Sequence, residues 1–359
     1  MPILCAIFRL AKGNPRLPKL HNTMSETIRT EAQVQAQLSK LDQLREEIHK
    51  VIVGQEEAVE HLIIAFLAQG HALLEGVPGL AKTLMIRTLS QAVALDFHRV
   101  QFTPDLMPSD ILGTEILEED HSTGKKFFKF NQGPVFTNIL LADEINRTPP
   151  KTQSALLEAM QEYEVTYGGK TYPLPRPFFL LATQNPIEQA GTFPLPEAQL
   201  DRFLLYVRLG YPTAEEEEQV LMRTTGTAKT SVKAVLGGED ILALQGLVRE
   251  VSISEGLVRY ASQLVRATRP DDTPVAYVKQ WVRWGAGPRA GQALILTAKA
   301  RALLHQRYAV TAEDLQAMAY PVLRHRMLLN FQAEAEGLST DQVTEALLTA
   351  IERPKNPLG

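Results

Sequence analysis

Along "QLSKLDQLREEIHKVIVGQ" apolar residues fall at Leu38, Leu41, Leu44, Ile48 and Ile52, a three-and-four spacing that puts them on one stripe of an amphipathic helix. Gly54 breaks that run, and a second helical stretch follows from Glu57 to Gln69. The pattern then changes. "HALLE", "HRVQFT", "NILLADE", "FFLLATQ" and "RFLLYVRL" are short strand-like runs, each set off from its neighbours by polar or turn-forming residues, and they predict buried strands. Periodic helices lie between several of them, and this alternation predicts an α/β fold with a parallel sheet.

Near Gly210 the texture becomes helical. From "YPTAEEEEQVLMRTT" onward, Thr213/Glu216, Thr311/Asp314 and Ser339/Gln342 have the spacing of capping boxes, so each pair predicts a helix start. A smaller helical domain is therefore expected over residues 211–359, after an α/β core over 31–210 and a disordered leader over 1–30 in which Met24 is a candidate start. Two hairpins are expected as insertions in the core. "EVTYGGKTY" carries Gly168-Gly169 between alternating β-formers, and "TEILEEDHSTGKKFFKF" turns around Ser122 to Gly124. "GTAKTSVKAVLGGED" is the most linker-like stretch of the second half, and no repeat of fixed period is present.

Composition narrows the function classes. With 359 residues, 45% of them hydrophobic and 22% charged, the chain is long enough for two domains and reads as globular. A net charge of −4 gives no general attraction to nucleic acid or anionic lipid. The single Cys5 and the absence of CxxC or HExxH spacing argue against disulfides and structural zinc, which fits a reducing, cytoplasmic setting. No apolar run approaches the roughly 20 residues of a spanning helix, so no membrane insertion is expected.

The chemistry centres on "GVPGLAKT". Gly76, Val77, Pro78, Gly79, Leu80, Ala81, Lys82 and Thr83, with Leu84 after them, stand between a predicted strand and a predicted helix. Backbone N–H groups converging at a helix N-terminus cradle phosphate oxygens, and little side-chain bulk is tolerated there. Lys82 supplies the charge for β- and γ-phosphates, and the Thr83 hydroxyl is a ligand for Mg²⁺. Ala81 stands where the usual pattern has glycine; a negative φ is expected at this position, which alanine tolerates.

"NILLADEINR" ends a strand in Asp143-Glu144. At a strand's C-terminal edge, Asp143 is placed to hold Mg²⁺ and Glu144 to orient or deprotonate a water. Asn185 in "FFLLATQNP" is an amide able to hold that water. Arg202 in "PEAQLDRF" is either a charge-stabilising finger or a local partner of Asp201. Arg289 in "GAGPRA" follows Pro288 in a first helical turn, where a cation opposes the helix dipole and calls for a nearby anion.

In this order, "VIVGQ", "GVPGLAKT", "LLADEINR", "LATQNP", "LPEAQLDRF" and "GAGPRA" resemble the MoxR family of AAA+ ATPases over about residues 35–352. The resemblance implies a P-loop core with strand order 5-1-4-3-2, a helical lid, bound ATP and Mg²⁺, and a ring, usually of six subunits. Val53, Gly54 and Gln55 match the adenine-side segment, Asn185 the first sensor, Arg289 the lid sensor, and Arg202 the finger entering a neighbour's site. ATP is then expected between core and lid. Such proteins look like chaperones acting on protein clients, often with a partner bearing a von Willebrand factor A domain. Three other readings are a magnesium-chelatase-like subunit, a nucleic-acid motor using Lys170, Tyr167 and Tyr172 of the hairpin tip, and a non-hydrolysing nucleotide switch.

Overall fold

The computed structural model describes residues 31–354 except 120, 123, 188–190 and 227–229, so the expected leader lies outside the described residues. Among the described residues, nine strands precede Gly210: β1 (Ala72–Glu75), β2 (Phe97–Gln101), β3 (Gly113–Glu119), β4 (Lys126–Gln132), β5 (Ile139–Asp143), β6 (Glu164–Tyr167), β7 (Lys170–Pro173), β8 (Phe179–Gln184) and β9 (Leu205–Arg208). Five of these form one parallel sheet in the order β2-β5-β8-β1-β9. Counted among themselves along the chain, the order is 5-1-4-3-2, as the resemblance implies. All five fall on the runs predicted as buried strands.

The inner strands β1, β5 and β8 are largely apolar because both faces of the sheet are covered there, whereas β2 at one edge is mostly exposed. Ala72, Leu74, Ile139, Leu141, Phe179 and Leu181 face one hydrophobic cluster, while Leu73, Leu140, Ala142, Leu180 and Ala182 face another. The helices Glu31–His49, Glu56–Leu67 and Lys82–Ala92 cover the first face, with Leu38, Leu41, Leu44, Ile48 and Ile52 all buried there. Leu156, Leu157 and Met160 of helix Pro150–Glu162 belong to the second cluster.

Both hairpins stand off this sheet. β3 pairs with β4, and β6 pairs with β7 around Gly168-Gly169. Phe130 of β4 lies 4.4 Å from the Tyr172 ring and 5.3 Å from that of Tyr167. The two tyrosines thus take part in packing one hairpin against the other.

After β9 the chain is mainly helical. Helices Ala214–Thr225, Ala312–Leu323 and Thr340–Ala350 begin at the predicted boxes of Thr213, Thr311 and Ser339. Pro288 opens helix Pro288–Leu304, and β10 (Val282–Trp284) pairs with β11 (Leu328–Leu329). Helix Pro288–Leu304 packs on helix Glu56–Leu67, and its Ala290, Ala293, Leu294 and Ala298 join the first cluster.

Candidate nucleotide site

The carboxyl edge of the sheet gathers most of the predicted site. The chain leaves β1 at Glu75, runs through the loop from Gly76 and enters helix Lys82–Ala92. Gly79 has φ +89° with nothing within 4 Å of where a Cβ would stand, so its backbone is open to a ligand. Lys82 Nζ donates to the Gly76 carbonyl at 2.6 Å and lies 3.5 Å from that of Gln184, so it reaches back across the mouth of the loop. Thr83 and Leu84 begin the helix, and Val77, Pro78 and Leu80 line the loop.

Ala81 corrects the expectation. It caps the helix with φ +56° and ψ 22°, in the left-handed region rather than at negative φ. The loop must reverse there to aim successive N–H groups inward, and a Cβ in that conformation costs roughly 1–2 kcal/mol. Gln55 and Glu144 share this backbone, with φ of 55° and 60°. Strain at three predicted site residues is the pattern of a binding site held by its surroundings. Beside the loop, Gln55 Nε2 donates to the Gly210 carbonyl at 2.8 Å, and Val53 precedes Gly54, whose own φ is +64°. A Cβ on Gly54 would meet the movable end of Glu216, so it is the positive φ that favours glycine here.

β5 delivers the acids. Asp143 is buried, and its Oδ1 accepts a 2.6 Å bond from the Thr183 hydroxyl, which itself accepts from the Glu144 N–H at 2.8 Å. Asp143 Oδ2 accepts from Arg99 Nε at 3.0 Å and Nη2 at 2.7 Å. Glu144 Oε2 accepts from Gln101 Nε2 at 2.8 Å and lies 3.0 Å from Arg147 Nε. On the neighbouring strand end, Asn185 is buried, and its Oδ1 accepts from the Ile187 N–H at 3.2 Å. Its Nδ2 is buried with no partner. An unmet buried amide is costly unless a ligand or water completes it.

The arginines lie elsewhere. Arg202 and Arg289 line a cavity of about 320 Å³ together with Gly70, His71, Met160 and Arg326. Gly70 and His71 precede β1, whereas the phosphate loop follows it, so this cavity opens at the opposite edge of the sheet. Six residues of extended chain separate Gly70 from Gly76, roughly 20 Å at the strand rise of about 3.3 Å per residue. The expected cleft with Arg289 over the same chain's phosphates is therefore not formed. Arg289 Nη1 is 3.5 Å from Asp201 Oδ2, which supplies the anion its helix position called for. Arg202 Nη1 donates to the Leu157 carbonyl at 3.0 Å. Asp201 instead pairs with Arg326, whose buried guanidinium also donates to the carbonyls of Val322 and Phe203 at 2.6 and 2.7 Å.

Arg99, Gln101, Arg147, Thr183 and Arg326 were not predicted. The period-two alternation Phe97, Arg99, Gln101 on β2 was the available signal, since it puts two polar side chains on one face beside Asp143. Nothing local marks Arg326. Among the described residues no His, Cys, Asp and Glu cluster suits a metal, and no helix is long and apolar enough to cross a membrane.

A five-stranded parallel sheet, a phosphate loop and paired strand-end acids together define a P-loop ATPase with a helical lid. Residues 71–205 match the model of the "ATPase family associated with various cellular activities (AAA)", and residues 276–347 match that of the AAA lid domain. The chain is 44% identical over 89% of its length to Chaperone MoxR1 of Mycobacterium tuberculosis, covering 84% of that protein. It is 30% identical to Protein MoxR of Paracoccus denitrificans, over 84% of this chain and 93% of that one. A crystal structure from Cytophaga hutchinsonii, of a protein provisionally assigned as an ATPase, superimposes with TM-score 0.84 at 45% identity over 90% of this chain and 98% of that one. The chain belongs to the MoxR family of AAA+ ATPases.

Proposed function

We propose that this chain is an ATP-hydrolysing remodelling ATPase that acts on protein clients as a homo-oligomeric ring, with residues 31–210 as its nucleotide-binding core and 211–359 as its lid. One observation carries the reading. Lys82, Asp143, Glu144 and Asn185 share one sheet edge, while Arg202 and Arg289 sit at the other. A lone chain thus has the phosphate cradle with Arg99 and Arg147 held on its own acids, and without Arg202 or Arg289 to stabilise the charge of a transferring phosphoryl group. Head-to-tail contact between copies closes the gap: the arginine edge of one subunit meets the nucleotide edge of the next, and both Arg202 and Arg289 act across that boundary.

The residues fit such a ligand. Gly76 to Thr83 offer backbone donors, Lys82 neutralises the β- and γ-phosphates, and Val53 to Gln55 flank the base. Thr83 and Asp143 would hold Mg²⁺, which supplies charge to the phosphate oxygens. Glu144 orients and deprotonates the attacking water, and Asn185 Nδ2 donates to it. A six-membered ring, a partner with a von Willebrand factor A domain and a cytoplasmic location follow from the family resemblance and from the single Cys5.

Subunit mixing tests the central point. Lys82→Ala and Arg202→Ala are each expected to lose ATP turnover, and a mixture is expected to regain part of it, because some boundaries then join an intact loop to an intact finger. A mixture as inactive as its components removes the shared site. Glu144→Gln is expected to keep nucleotide while turnover falls by about 10² or more; undiminished hydrolysis by that variant removes the role of Glu144.

A further inference from the structure

Asp143 already has a cation. Arg99 on β2 places Nε and Nη2 at 3.0 and 2.7 Å from its Oδ2, and Thr183 occupies Oδ1 at 2.6 Å. The Arg99 side chain is 47% exposed against 10% for Asp143, so the guanidinium covers the carboxylate from the solvent side. The same Nη2 donates to Gln101 Oε1 at 2.7 Å, and Gln101 Nε2 donates to Glu144 Oε2 at 2.8 Å. A single polar chain along the edge strand therefore joins the metal-facing acid to the water-facing acid.

We propose that Arg99 competes with Mg²⁺ for Asp143, so that arrival of the metal with nucleotide releases Arg99 from the carboxylate. The inference rests on the nucleotide site assigned above. A fixed guanidinium beside Oδ2 repels a divalent cation and blocks the water shell through which a carboxylate holds it. Once Arg99 swings away, Gln101 loses the donor that fixes its carbonyl, while Glu144 keeps Arg147 at 3.0 Å. The exposure of Arg99 leaves it room to do so. An ordinary structural pair would instead keep the same geometry whether metal is present or not.

The test is binding of a fluorescent ADP analogue to the full chain, titrated with Mg²⁺ and repeated in EDTA. Arg99→Gln is expected to lower the half-saturating Mg²⁺ concentration about tenfold and to leave affinity in EDTA unchanged. Arg99→Lys keeps the charge but offers Oδ2 one donor nitrogen in place of two, so about a threefold shift is expected. Unchanged Mg²⁺ midpoints in both variants overturn the competition. A drop in metal-free affinity also overturns it, by assigning Arg99 to the phosphates. Loss of folding in both makes the pair structural and overturns it too. Failure of the unsubstituted chain to bind the analogue at all would instead strike the nucleotide site itself.

Discussion

At the scale of single residues, the nucleotide edge is built from backbone conformations that most side chains avoid. Ala81 at φ +56° is the clearest case, because glycine would adopt the same conformation without opposing a Cβ to the next carbonyl. Glycine also gains freedom in the unfolded chain, which offsets part of the relief. Ala81→Gly is accordingly expected to stabilise the fold by about 1 kcal/mol, and Ala81→Val to destabilise it by at least that much, both read from urea unfolding. The sign of this φ was not legible in the sequence. Residue types around "GVPGLAKT" tell that a loop precedes a helix, but the direction in which the loop reverses is set by where β1 and the helix sit.

Elements show the same division between local and distant causes. Ser339 and Asp314 both belong to capping boxes that the sequence displays, and both boxes form. Ser339 does no more than cap, so Ser339→Ala is expected to cost about 1 kcal/mol. Asp314 is fully buried and also receives Arg301 Nη1 at 2.7 Å and Arg307 Nη2 at 2.6 Å. Burial opposes its ionised form, but the bond from Arg307 and the Thr311 N–H outweigh that and hold its carboxyl below the usual range. Asp314→Ala strips Arg307 of its acid and leaves Arg301 only Glu60 at 3.2 Å, and about 3 kcal/mol is expected to be lost in the same unfolding measurement. Helix stripes, strand runs and caps were readable because each depends on neighbours a few residues away. Arg99, Thr183 and Arg326 were not, because their partners lie 44, 40 and 125 residues off. Arg289 was assigned to the right helix turn but not to the right sheet edge, since its position depends on how the lid packs.

Across the whole molecule, buried histidines set an acid limit. Burial lowers His61 and His71 from 6.5 to about 4, and it lowers His325 well below its ordinary range, with Arg326 adding to the effect. His71 shows why: Nδ1 accepts the Leu180 N–H at 3.0 Å and Nε2 lies 3.2 Å from the Met160 carbonyl, so the neutral ring is fully used. A group whose folded pKa is depressed takes up its proton first when unfolded. Stability is therefore complete above about pH 6.5 and falls as pH drops toward 4, by roughly 1.4 kcal/mol per pH unit for each histidine. Urea midpoints measured between pH 7 and 4.5 are expected to fall along that slope, and His61→Gln is expected to flatten it by one histidine's share.

The last helix reaches further than its place in the chain suggests. Asp341 at its start is gripped by Arg324 at 2.8 and 2.9 Å and touched by Arg208 at 3.5 Å, and Arg208 in turn holds Glu75, the residue before Gly76. Tyr206 fastens the same Glu75 at 2.5 Å. The tail of the polypeptide is thus wired to the hinge of the phosphate cradle. Cutting the chain short of Thr340, or clamping that helix with an antibody fragment, should be felt as altered nucleotide retention at a point more than 250 positions upstream.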